Sequence, residues 1–322
     1  MKTIAIRSQS HALAVSSVIM GSTYFDTRLP ESLVFALLDE YFALGGNCID
    51  TARVYGQPAV GQPSASEEVI GRYLKARPGL RETMIISTKG GHPPFENMHA
   101  PRLDEASLRA DLSGSLKSLG TDYADIYFLH RDDPRLPVSQ IMPTLDAFVK
   151  EGKVRCLGAS NWSTARIEEA NSYALSHGLT PFSVSQIQWS LAATTPEQCG
   201  DDTLVCMTEE EYRWYRDNQF PVLCYSSQSK GFFSKAIAQG TDGLNEKIRA
   251  RFLTPENLEK LEKVKALCAA QPLSPAAAVL LYLTHNQFPA AAIIGCSSVE
   301  QLRDSLSGRD FIPDFPPYSY AF

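Results

Sequence analysis

No run in this chain approaches the ~18 consecutive apolar residues of a membrane-spanning helix, no excess of basic residues marks any part of it, and no two of its cysteines form a C-x-x-C pair. Each absence removes a class of function. A formal net charge of −6 argues against a surface built to neutralise nucleic acid or anionic lipid. The opening MKTIAIRSQSHALAV carries charge but no apolar h-region, so it does not read as a signal peptide. The seven cysteines (48, 156, 199, 206, 224, 268 and 296) are scattered and odd in number, and several lie inside apolar runs such as NCID and PVLCYS. They read as reduced thiols of a cytoplasmic protein rather than a disulfide or zinc framework, and no metal is expected. No linker, low-complexity tract or charge block divides the sequence, so 1–322 reads as a single domain.

What is present is a repeated type of unit: a short apolar run, a polar loop, then a helical period. The runs fall at 15–20, 47–49, 84–87, 125–129, 154–159, 182–187, 222–224 and 291–294, mostly β-rich and apolar through the middle, as strands buried on both faces are. Between them, Leu33, Val34, Leu37, Leu38, Tyr41 and Phe42 form one helical stripe and Leu108, Leu112, Leu116 and Leu119 another. Ser64 with Glu67, and Ser298 with Gln301, have capping-box spacing, while Thr254-Pro255 and Ser274-Pro275 place a cap before a first-turn proline. Such alternation, carried through eight apolar runs, predicts an α/β fold, a closed (β/α)8 TIM barrel. A doubly wound open sheet is the alternative, but no G-x-G-x-x-G follows the first strand. Two connections, 189–218 after the sixth strand and 228–253 after the seventh, are longer than a barrel needs and read as substrate loops.

Barrel active sites gather at the C-terminal strand ends, and there the sequence is polar. The strands run into Asp50, Lys89, His130, Ser160-Asn161, Gln186, Tyr225 and Gly295-Cys296-Ser297 in turn. A lysine after the apolar run MIIST needs a carboxylate to stay charged, and Asp50 on the neighbouring strand supplies one. Tyr55 lies five residues beyond Asp50 on the following loop. A cation beside a phenol favours the phenolate, so this group can hand a proton to a carbonyl oxygen, with the histidine of the fourth strand beside it.

The stretch Gly45-Gly46-Asn47-Cys48-Ile49-Asp50-Thr51-Ala52-Arg53-Val54-Tyr55-Gly56 resembles the aldo-keto reductase signature around its catalytic Asp and Tyr. Ile86-Ser87-Thr88-Lys89 resembles that family's lysine strand and Asp125-Ile126-Tyr127-Phe128-Leu129-His130 its histidine strand, and the likeness continues in family order from about residue 15 to 307. The resemblance implies a nicotinamide-dependent oxidoreductase with Asp50, Tyr55, Lys89 and His130 as its catalytic set. It implies cofactor contacts from Gly21, Ser22 and Thr23 near the nicotinamide, and from Ser160, Asn161 and Gln186 on its carboxamide. Tyr225 would stack on the ring, Ser226, Gln228 and Lys230 would line the pyrophosphate, and Gly295, Ser297, Gln301 and Ser305 the adenosine phosphate. Asp50 would also border the cofactor. NADP(H) is favoured and NAD(H) stays open, because Gly295, Gln301 and Ser305 stand where many relatives carry basic or asparagine side chains.

Taken singly, each residue has a plainer reading: Tyr55 as the cover of a strand end, Lys89 as a solvated terminus, His130 as a loop hydrogen-bonder, Asp50 as a turn cap. Their joint occurrence in order favours catalysis. Arg53, His92 and Trp162 are expected near the substrate, which reads as a small polar or sugar-like carbonyl compound. Two other functions compete. One is a Schiff-base lyase or aldolase acting through Lys89; the other is a barrel that binds cofactor without turnover. No nucleic acid or membrane partner is expected, and the sequence does not distinguish a monomer from a homo-oligomer.

Overall fold

The N-terminal residues alternate polar and apolar, and this alternation builds a hairpin. Strand β1 (Thr3–Arg7) pairs antiparallel with β2 (Ala12–Ser16), from Thr3 opposite Ser16 to Arg7 opposite Ala12. Period-two alternation turns Ile6, Leu13 and Val15 to one buried face. The expected single strand over 15–20 is therefore corrected: it breaks at Ser17, between β2 and the first barrel strand, β3 (Val18–Gly21). Ser17 is the crossing point, its N–H donating to the Lys2 carbonyl and its own carbonyl accepting from Ala292 of the barrel.

In the computed structural model, which describes residues 1–56 and 64–311, the remaining strands are β4 (Cys48–Asp50), β5 (Ile85–Gly90), β6 (Ala124–Leu129), β7 (Val154–Ser160), β8 (Phe182–Gln188), β9 (Val222–Tyr225) and β10 (Ala290–Ile294). From β3 onward each pairs parallel with the next, and β10 closes on β3, giving the expected eight-stranded barrel. Helices α1 (Glu31–Ala43), α2 (Ala65–Lys75), α3 (Glu105–Leu119), α4 (Val138–Lys150) and α5 (Thr164–Ser176) cover the first half. The two long connections are not bare loops. The first carries α6 (Pro196–Cys199) and α7 (Glu209–Asn218), and the second α8 (Phe232–Gln239) and α9 (Glu246–Phe252). Helices α10 (Pro255–Ala270), α11 (Pro275–Thr284) and α12 (Val299–Leu306) complete the layer.

Local chemistry sets the helix starts. Thr254, Ser274 and Ser298 each accept from the backbone N–H three residues on, as their positions predict. Ser64 departs from expectation: its φ of 77° is left-handed, and its hydroxyl donates to Glu67 Oε2 at 2.7 Å instead of capping α2. Gln301 accepts from the N–H and hydroxyl of Ser297, so no reciprocal box forms at Ser298.

The strands position the site through their inward-facing residues. Along that face the lining runs from apolar at the floor to polar at the mouth: Cys48 then Asp50, Ile85 then Ser87 and Lys89, Val184 then Gln186 and Gln188, Leu223 then Tyr225. The floor forms one buried cluster that joins Ile19, Ile126, Phe128 and Ile293 to Ile6, Leu13 and Val15 of the hairpin, which plugs that end. Outward-facing residues, such as Met20, Ile49 and Ile86, pack instead under helices such as α1.

Candidate active site

Lys89 is the centre of the polar mouth. Its Nζ lies 2.6 Å from Asp50 Oδ2, 2.8 Å from the Thr51 carbonyl and 3.2 Å from the Tyr55 hydroxyl. The other Asp50 oxygen accepts from Ser87 Oγ at 2.7 Å and Gln186 Nε2 at 2.9 Å. Burial alone would push the Lys89 ammonium down, but Asp50 and Tyr55 beside it outweigh burial and hold it above its ordinary value. Lys89 is therefore charged at neutral pH and fully hydrogen-bonded.

Tyr55 is aimed by a tight turn. Arg53 N–H donates to the Lys89 carbonyl and Tyr55 N–H to the Ala52 carbonyl, each at 3.0 Å. Gly56 continues the turn at φ 91°, and a Cβ there would fall 2.6 Å from that of Ala65, so only glycine fits.

His130 follows β6, its N–H on the Gly90 carbonyl at 2.9 Å. Its ring stands edge-on to Tyr55, with centroids 5.8 Å apart, and to His92 at 4.7 Å. Burial, then the neighbouring His92, Arg131 and Lys89, holds His130 well below the ordinary imidazole range, so it is neutral at pH 7. Its Nδ1 is buried and has no partner among the described residues. His92 is pushed down to about 4 by burial and by Arg131, and its Nδ1 lies 2.6 Å from the Pro93 carbonyl. A carbonyl only accepts, so that nitrogen carries the proton.

Above this group opens a cavity of about 360 Å³. Tyr55, His92, His130, Ser160, Asn161, Gln186, Tyr225 and Thr23 all line it. The Asn161 carboxamide is held by donating to the His130 carbonyl (3.3 Å) and Ser160 Oγ (3.1 Å), and by accepting from the Tyr225 hydroxyl (2.6 Å) and Val205 N–H (3.3 Å). Asp50 and Lys89 lie beneath the cavity wall. Gly21 ends β3 beside Asp50. Ser22 turns away, its buried hydroxyl accepting from Ser66 Oγ at 2.6 Å.

A second group extends from the ends of β9 and β10. Ser226, Ser229, Lys230 and Gly231 all have positive φ (52°, 51°, 53° and 80°), the kind of turn that clusters backbone N–H groups toward an anion. Partial burial and the charges of Arg251 and Lys247 push Lys230 below its ordinary value. Gln228 ties this loop down, donating to the Ala276 carbonyl and to Ser305 Oγ at 3.2 and 3.0 Å. Gly295 faces open space, next to the Ser297–Gln301 pair.

Two residues expected at the substrate lie elsewhere. Arg53 bonds Ser64, sits 4.0 Å from Glu67 and lies over Gly114 of α3, in the groove between α2 and α3. Trp162 is fully buried in the helical layer, edge-on to Phe182 at 5.2 Å and under the Arg166 guanidinium. Residue order places both near the mouth, but strand exit direction sends both outward. Conversely, Arg131, Tyr24, Arg28, Phe95 and Leu204 line the cavity unforeseen. Arg131 had a signal, standing directly after His130 at a strand end; Leu204, from inside a long insertion, had none.

These features belong to one class of protein. A sequence model of the Aldo/keto reductase family matches residues 17–320, and the chain belongs to that family of carbonyl and alcohol oxidoreductases. It is 28% identical over 306 residues to the uncharacterized oxidoreductase YrpG of Bacillus subtilis, a match covering 94% of this chain and 90% of that one. It is 34% identical over 197 residues to the putative aryl-alcohol dehydrogenase AAD14 of Saccharomyces cerevisiae, covering 59% of this chain and 50% of that one.

Proposed function

We propose that this chain, acting as one barrel domain in the cytoplasm, interconverts a carbonyl and an alcohol with Tyr55 as general acid and base. The observation that carries this reading is the buried Lys89 ammonium, 3.2 Å from the Tyr55 hydroxyl and 2.6 Å from Asp50. In reduction, Tyr55 gives its phenolic proton to the carbonyl oxygen, Lys89 stabilises the phenolate left behind, and Asp50 keeps Lys89 charged. Neutral His130 donates an N–H to the same oxygen and orients it. In oxidation Tyr55 takes the proton back. A bound nicotinamide dinucleotide supplies or accepts the hydride.

The residues fit such a cofactor. Ser160, Asn161, Gln186 and Tyr225 would hold the nicotinamide end, with Gly21 and Thr23 beside it, while Ser22, turned toward Ser66, would not reach it. Ser226, Gln228 and Lys230 suit the pyrophosphate, and Gly295, Ser297, Gln301 and Ser305 the adenosine end. NADP(H) is the favoured form and NAD(H) the alternative, since Gly295 leaves room for a 2′-phosphate without a dedicated arginine.

The substrate we propose is small, polar and sugar-like. Support comes from His92 and Arg131 in the cavity, and from Tyr24 and Phe95, which are 45% and 42% exposed at its rim and offer flat faces to a ring. A Schiff-base lyase needs Lys89 as a free neutral amine, which its charge and three hydrogen bonds oppose. The test is thermal unfolding with excess NADPH, NADP⁺, NADH and NAD⁺, followed by a carbonyl screen. A nucleotide at 100 times its Kd adds roughly 2.7 kcal/mol. A shift with the NADP pair and turnover of hydroxylated aldehydes is the expected result. No shift with any nucleotide would overturn the reading, and preference for long aliphatic aldehydes would overturn the substrate class.

A further inference from the structure

Proton transfer through Tyr55 leaves one buried carboxylate without a part. Glu67, in the first turn of α2, is fully buried, a position glutamate almost never takes unless it is paired. Both of its oxygens accept hydrogen bonds: Oε1 from the Thr88 hydroxyl at 2.6 Å and Oε2 from the Ser64 hydroxyl at 2.7 Å. The Arg53 guanidinium donates to that same Ser64 oxygen and lies 4.0 Å from Glu67 Oε2. Burial pushes Glu67 above its ordinary range, and Thr88, Ser64 and Arg53 oppose that push.

The network joins the two pieces of chain that carry Lys89 and Tyr55. Thr88 precedes Lys89 on β5 and faces the helices. Arg53 opens the turn that leads to Tyr55 and Gly56, and its N–H donates to the Lys89 carbonyl at 3.0 Å. The start of α2 grips that turn from the other side. Ser64 N–H donates to the Arg53 carbonyl at 2.7 Å, and Ser66 N–H to the Tyr55 carbonyl at 3.4 Å. Ser64 holds its left-handed φ of 77° at this point, a strain that persists only where surrounding contacts over-determine it. The backbone bonds set the direction of the turn. The ion pair and the two hydroxyls set how far the turn and α2 stand from β5, and with it the 3.2 Å between Lys89 Nζ and the Tyr55 hydroxyl.

We propose that Glu67 and Arg53 are positioning residues for the proton donor: through Ser64 and Thr88, their ion pair holds the Tyr55 turn against β5 at the separation proton transfer needs. This rests on Tyr55 acting as the general acid and base. Neither side chain lines the cavity, and Arg53 faces the groove between α2 and α3 instead. The pair therefore acts on the rate of the chemical step and not on occupancy of the site. Misplacing a reacting group by about 1 Å costs on the order of 10²-fold in rate. Gly114 of α3 allows the pair to be disturbed with both members still present. A Cβ there would fall 2.6 Å from Arg53 Cζ, so Gly114→Ala must push the guanidinium aside. Alanine is also the better helix former, so α3 itself does not suffer.

The test is steady-state kinetics of the full chain with NADPH and glyceraldehyde, with kcat counted per site that binds NADPH. In Glu67→Gln and Arg53→Met, kcat should fall about 10–100-fold, while the KM for glyceraldehyde and the Kd for NADPH stay within about twofold of wild type. Arg53→Lys keeps the positive charge and should recover most of that loss. Gly114→Ala should lose about tenfold in kcat while melting no lower than wild type. A purely structural pair predicts the reverse, lower melting temperatures with kcat per site unchanged. Unchanged kcat per site in Arg53→Met and Gly114→Ala, a loss carried by KM, or no recovery in Arg53→Lys would each overturn the proposal. Tyr55→Phe separates it from the reading beneath it. Retained turnover in that variant would overturn both, whereas lost turnover there, with full activity in the Arg53 and Gly114 variants, overturns the positioning role alone.

Discussion

Gln186 and Asp50 stand 136 residues apart in the chain, yet Gln186 Nε2 donates to Asp50 Oδ1 at 2.9 Å across the barrel interior. This bond, with that from Ser87, occupies one carboxylate oxygen and leaves the other to Lys89. Gln186 also faces the cavity, so one side chain steadies the ion pair from below and borders the ligand from above. Gln186→Met removes a buried hydrogen bond to a charged group, and a stability loss of about 1–3 kcal/mol is expected. Urea unfolding measures it, and a loss under 0.5 kcal/mol, on the order of an ordinary surface substitution, would mean that Asp50 does not depend on Gln186.

Tyr55→Phe keeps the ring and deletes only the proton donor. The expected kcat/KM falls about 10²–10⁴-fold, while nucleotide affinity by calorimetric titration stays within twofold of wild type. Retained turnover would remove Tyr55 from the reaction.

Lys89→Met leaves Asp50 buried without its cation, which costs on the order of 3–5 kcal/mol. Adding Asp50→Asn to that variant removes the stranded charge, so the double variant should be more stable than Lys89→Met alone. Thermal melts of the wild type, both single variants and the double variant form the cycle. Simple additivity would show that the two side chains are not coupled.

His92 gives a pH dependence with a definite sign. Its folded value, about 4, lies below the ordinary 6.5, because burial and Arg131 disfavour the imidazolium. Between those values the unfolded chain binds more protons, so stability rises with pH. The contribution is complete above about 6.5 and is lost progressively as pH falls toward 4. Relative to His92→Gln, the wild type should lose stability from pH 7 to pH 4.5. Parallel melting curves across that range would contradict the burial of a neutral His92.

Much of the architecture was readable because barrel strands obey a simple period. Asp50, Lys89 and Gln186 could be placed at the mouth from strand ends alone, and all three meet there. Residues just past a strand end were less legible. Arg53 and Trp162 leave the strands toward the helices, a direction that depends on the turn and not on residue type. The hairpin was missed because 15–20 is one apolar run, and only the pairing of Ser17 with Lys2 and Ala292 divides it.

The alternation along β5 ties activity to folding fidelity. Ser87 and Lys89 face inward while Ile86 and Thr88 face the helices. A slip of β5 by one residue against β4 or β6 would send the lysine into the apolar helical layer and bring a threonine to the mouth. A misregistered barrel could therefore keep its outline but not its proton donor's partner, so the fraction of active molecules after refolding doubles as a count of correctly registered ones.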